Sequence, residues 1–140
     1  MLEPALADAL LARLDASRTA LLAALEGLTE HDFAADLGDG RTVTQALAAL
    51  AEAERRENAE VRGETVADPT PGRPLPPQVV HALAGAAYRS RRYLAEPGAD
   101  AASAKALVDG IVERERGLTE RIRQRPPTPP PPVLPVVEPR

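Results

Sequence analysis

The chain has 140 residues, a net charge of −4 and 44% hydrophobic residues, yet only one Phe, two Tyr and no Trp. That length supports one core, and with aromatic and β-branched strand formers scarce the core must be built from Leu, Val and Ala on helices. Cysteine is absent, which excludes disulfides, thiolate-bound zinc and a cysteine nucleophile; the interspersed charges offer no basic stripe for nucleic acid, and no run approaches the roughly 18 apolar residues of a membrane span.

The first helix is expected over about 4–28, where Leu10, Leu14, Leu21, Leu25 and Leu28 recur at helical spacings. Gly27 and Thr29 stop it. "TEHD" at 29–32 reads as a short turn capped by Thr29 with Asp32 at the third position, and Phe33 is expected to fill the core where the chain turns. "GDG" at 38–40 supplies the next turn.

The second helix is expected over 42–63. "TVTQ" is a capping box of Thr42 and Gln45, and Gly63 marks the end. Val43, Leu47, Leu50 and Val61 form its apolar face, with Glu54 and Glu57 close to the same stripe. Proline, which lacks a donor and clashes inside helices, then interrupts the chain: five of the 15 prolines lie between Pro69 and Pro77.

A third helix follows over 77–94, with Val80, Leu83, Ala87 and Leu94 expected to face inward and "RSRR" at 89–92 matching the negative end of the helix dipole. The fourth is expected over 101–124, starting at an Asp100 or Ser103 cap and burying Leu107, Ile111, Leu118 and Ile122. The tail 126–140 holds eight prolines and is expected to be disordered, sampling polyproline II with "VLPVV" as an apolar patch. Residues 1–125 are thus expected to form one all-α domain, an up-down four-helix bundle.

The stretch "ALEGLTEHDFAADLGDGRTVTQALAALAEAERRENAEVRG" resembles the joint between the first two helices of the DinB/YfiT-like superfamily, which includes the N-terminal domains of mycothiol-dependent maleylpyruvate isomerases. The family pattern there is "Trp-Ser-Val-x-x-x-Leu-x-His-Leu-x-x-x-Glu". Its Trp falls at Arg41, its Ser at Thr42, its Val at Val43, its Leu at Leu47, its His at Ala49 and its Glu near Glu54. Two further histidines of the family's last helix correspond to Arg114 and Leu118. The resemblance implies a DinB-like bundle, but all three metal-binding histidines are replaced, and Ala49, Arg114 and Leu118 offer no donor for a divalent ion.

The remaining chemistry-bearing residues are few. His31 lies in a turn, and His81 sits beside the expected core stripe of the third helix. Glu54 and Glu57 are three apart and face the helix carrying Glu113 and Glu115; with no Glu-x-x-His, a carboxylate-bridged di-iron centre is not expected. One reading pairs Glu54 or Glu57 with Arg114 or Arg116 across the helices, an ion pair standing where the metal would be. "GDGR" lacks the strand and lysine of a phosphate loop, and no Ser-His-Asp set can be assembled.

Two kinds of function follow. The favoured one is a degenerate, non-metal, non-enzymatic member that binds a small ligand or a protein partner, with a homodimer as one expectation. The alternative is a divalent-metal-dependent hydrolase or thiol transferase whose site has moved to Glu54, Glu57, His81 and Glu115, the acidic groups suiting a hard cation; together with Arg114 these residues make up a candidate polar pocket. A third reading makes the proline-rich tail an adaptor. No cofactor is expected in the favoured case. The N-terminal "MLEPALADAL" has an acidic residue and no basic n-region, so a cytoplasmic protein is expected.

Overall fold

A computed structural model describes residues 1–68 and 75–125, and these are all-helical apart from turns and one isolated bridge between Asp36 and Thr42. The helices are α1 (Pro4–Leu25), α2 (Glu30–Phe33), α3 (Val43–Arg62), α4 (Pro76–Leu94) and α5 (Ala101–Gln124). Among the described residues no helix is long and apolar enough to cross a membrane. The expected tail and the centre of the proline-rich connection lie outside the described residues.

Local chemistry sets the helix limits. Pro4 starts α1 from the first turn, where its missing N–H is no loss, and the chain leaves the helix at Glu26, just before Gly27 turns with φ +82°. α1 is therefore three residues shorter than its leucine stripe suggests. The two capping boxes form as the sequence predicts: Thr29 Oγ1 accepts the Asp32 N–H while Asp32 accepts the Thr29 N–H, and Thr42 does the same with Gln45. Gly63 ends α3 in the left-handed region at φ +68°. Asp100, not Ser103, caps α5.

The four long helices pack as two close pairs, α1 with α5 and α3 with α4, joined mainly through α3 and α5. Ion pairs and hydrogen bonds fix their directions. Arg13 meets Asp109 and Arg18 meets Glu115, so α1 and α5 run parallel. Asn58 meets Ser90 and Arg62 meets Glu96, so α3 and α4 also run parallel. Glu57 meets Arg114, while Val43 and Leu47 pack with Leu118 and Ile122 in one cluster, so the two pairs oppose each other. The order is up-down-down-up, which corrects the expected up-down alternation. The physical reason is the connection between α3 and α4: residues 63–75 form a link whose extended length, about 40 Å, exceeds the roughly 30 Å of a twenty-residue helix. It permits a return to the opposite end.

Leu83 and Leu94 of α4 are buried as expected, but Val80 and Ala87 give way to the residues just before them. Val79, Leu83, Ala86, Ser90, Tyr93 and Leu94 are buried, whereas Val80 is 49% exposed and Ala87 is only partly buried. In an alanine-rich helix small residues lie on every side, so the sequence marks the stripe weakly. Leu10, Leu14 and Leu21 of α1 and all four expected core residues of α5 are buried, and Phe33 packs partly buried on the core.

The core is two clusters with a gap between them. One gathers Leu10, Leu14, Tyr93, Leu107, Val108 and Ile111. The other gathers Leu21, Val43, Leu47, Leu83, Leu118 and Ile122. Every long helix crosses from one to the other, and at that level each carries a polar residue.

Candidate functional site

The crossing level is a polar layer of Arg18 from α1, Glu54 and Asn58 from α3, Ser90 from α4 and Glu115 from α5. Each takes a position that the apolar stripe would give to leucine: Arg18 follows Leu14 by four and precedes Leu21 by three, and Glu115 stands in the same relation to Ile111 and Leu118. Glu54 is 3% exposed, Glu115 1%, Ser90 1% and Asn58 fully buried. Burial on this scale is tolerated only when the groups satisfy one another.

They do so around the arginine. Arg18 Nε donates to Glu115 Oε2 at 2.8 Å, Nη1 to the Leu83 carbonyl at 3.3 Å, and Nη2 to Glu54 Oε2 at a longer 3.4 Å. Asn58 Nδ2 donates to the Glu54 carbonyl at 2.9 Å and to Ser90 Oγ at 2.8 Å, and its Oδ1 accepts from Arg62 Nη1. Arg62 continues to the Arg89 carbonyl and Glu96, and its guanidinium lies 5.4 Å from the Tyr93 ring centroid. Burial is the main cause that raises the Glu54 carboxyl to about 7, with Glu115 adding to it against the pull of Arg18.

The layer borders a small void at the seam between α1 and α4. The void there measures about 10 Å³ and is bounded by Arg18, Glu54, Ser90, Arg91 and Glu115, room for no more than about one water. Across its mouth Arg91 pairs with Asp15.

The other residues singled out from the sequence fall elsewhere. Arg114 grips Glu57 through both oxygens, at 2.5 and 2.6 Å, and this α3–α5 pair is about 30% exposed on each side. The Glu57 carboxylate passes Gly110, where a side chain would come within 3.2 Å of it. Arg116 pairs along its own helix with Glu120. Leu118 is buried in the apolar core, and Ala49 is partly buried on α3. The three positions that the resemblance would give to histidine thus hold an apolar core residue, a methyl group and a paired guanidinium, a set that does not fit a cation. His31 is exposed, and His81 is exposed at the edge of an outer groove between α3 and α4. The structure therefore brings Glu54 together with Glu115, and Glu57 with Arg114, but leaves His81 apart from both. Among the described residues no group of three or more His, Asp and Glu side chains is placed to hold a metal.

Arg18, Asn58 and Ser90 were missed from the sequence. Their signal was present, as polar residues at core-stripe positions, but relating them to one another requires the helix directions.

Two shallow grooves complete the surface. The α3–α4 groove holds about 640 Å³ over a floor of Ala48, Ala51, Val79, Ala82 and Gly85, and the α1–α5 groove about 400 Å³ over Ala16, Ala20 and Val112. Both volumes lie in the range of ligand clefts. Compared with models of protein families, with curated proteins and with solved structures, the chain finds no match.

Proposed function

We infer that the chain is a DinB-like four-helix bundle that has given up the metal centre and serves as a non-enzymatic module for binding a small ligand or a protein partner. The observation that carries this reading is the polar layer. Its carboxylates are committed to Arg18 and Ser90, and the space beside them accepts about one water. A reacting group needs a substrate within hydrogen-bond reach, and no room for one exists there. The residues at 49, 114 and 118 do not fit a divalent ion, so no step runs through one. The alternative of a relocated metal site loses support because His81 stands apart from Glu54 and Glu115 while Glu57 is held by Arg114. Binding is then left to the outer grooves, whose small-residue floors suit an apolar ligand or a docking helix, a second copy of the chain included.

Titration of the untagged protein with Zn²⁺, Ni²⁺ and Mn²⁺, followed by thermal melting, tests the reading. An unchanged melting temperature is expected. A stoichiometric rise, which any ligand selective for the native state must cause, would restore the metalloenzyme reading.

A further inference from the structure

Counting donors around Ser90 shows what the polar layer lacks. A serine hydroxyl has one proton to give and two lone pairs to offer. The Ser90 hydroxyl has two acceptors in reach, the Ala86 carbonyl at 3.1 Å and Glu54 Oε1 at 3.3 Å. Its single proton can serve only one of them at a time, and an ionised Glu54 draws it to the carboxylate. One lone pair takes the Asn58 amide, which is fixed as a donor because its oxygen is bound to Arg62. With the Ser90 proton on the carboxylate side the Ala86 carbonyl loses the hydroxyl. Both contacts are hydrogen bonds at once only when Glu54 carries a second proton and donates it to the remaining Ser90 lone pair.

The charge count agrees. One guanidinium stands between two buried carboxylates, and its short bond goes to Glu115, leaving Glu54 the longer contact. With Glu54 neutral the layer balances; with Glu54 ionised it holds one negative charge too many. The groups facing Glu54 are Arg18 from α1, Ser90 and Arg91 from α4, and Glu115 and Arg114 from α5, with Asp15 beyond them at the mouth paired to Arg91.

We propose that Glu54 is a proton-operated latch on the α1–α4 seam: protonated, it donates to Ser90 and the seam stays shut; ionised, it is released from the layer and the seam opens to admit water. The seam is the place for this motion because α1 and α4 touch far less than α1 with α5 or α3 with α4, and at the mouth a salt bridge between exposed groups joins them beside the Arg18 bond to the Leu83 carbonyl. Burial raises the Glu54 carboxyl to about 7, so the latch works in the neutral range. An acid whose proton is held more tightly when closed makes opening easier as pH rises. The rise is confined to the interval between its ordinary range near 4.5 and about 7, and is flat above.

Amide hydrogen exchange of the full chain between pH 5 and 8, corrected for intrinsic rates, reads the opening. Opening of α1 and α4 is expected to increase by about 10- to 100-fold and then level off. In Glu54→Gln the profile is expected to be flat. A flat wild-type profile, or a rise that persists in Glu54→Gln, overturns the latch. Should Glu54→Gln not fold, NMR titration of the wild-type Glu54 carboxyl carbon decides: a midpoint near 7 supports the latch, and one below 5 overturns it.

Discussion

Arg18 and Arg114 both bind glutamates across helices, and burial separates what the two contribute. Arg18 is 14% exposed and its carboxylates less than 5%, so Arg18→Met strands two buried acids and is expected to cost about 3–5 kcal/mol in urea unfolding at pH 8. The Arg114–Glu57 pair has the better geometry, yet water reaches both groups, and Arg114→Met is expected to cost about 1 kcal/mol or less. Equal costs would mean that the layer is wetter than its burial indicates. The sequence carries the sign of this difference, since Arg18 interrupts a leucine stripe. It does not carry the partner. Glu57, not Glu54, takes Arg114, because in an antiparallel pair a shift of three residues changes the level at which side chains meet.

Helix ends were legible because they depend on neighbours in sequence. Thr29 with Asp32, Thr42 with Gln45, Asp100 and Gly63 act within a few residues of themselves, and the helices start and stop there. Thr42→Ala is expected to cost about 1 kcal/mol, seen as a lower urea midpoint at unchanged slope. Helix faces were less legible where alanine dominates. The register found for α4 is testable by a pair of adjacent substitutions: Val79→Ala, at a buried site, should cost about 2 kcal/mol, and Val80→Ala, half exposed, less than about 0.5 kcal/mol. The reverse order would restore the face first expected. Helix directions were not legible at all, since the length of a connection permits a crossover without requiring one.

At the scale of the whole molecule, two apolar clusters supply cohesion and the polar layer between them fixes which helix meets which, at a cost in desolvation that one proton on Glu54 reduces. Other shifted acids act in a different range. Neighbouring donors hold Asp39, Glu52 and Asp100 below their ordinary values: the Arg41 backbone N–H for Asp39, Arg55 for Glu52 and the Ser103 backbone N–H for Asp100. Acids of that kind contribute stability that is lost as pH falls below about 4.5, whereas Glu54, shifted upward, contributes stability that is lost as pH rises from about 4.5 to about 7. A comparison above pH 5 therefore separates Glu54 from these three acids.

The most direct test of the layer as a proton-balanced structural element is urea unfolding of the wild type and Glu54→Gln at pH 5 and pH 8. Every other titrating group is common to both proteins. The account predicts that from pH 5 to 8 the wild type loses stability on the order of 3 kcal/mol relative to Glu54→Gln, and that the variant is the more stable of the two at pH 8. Equal pH dependence in the two proteins, with Glu54→Gln the less stable throughout, would contradict it.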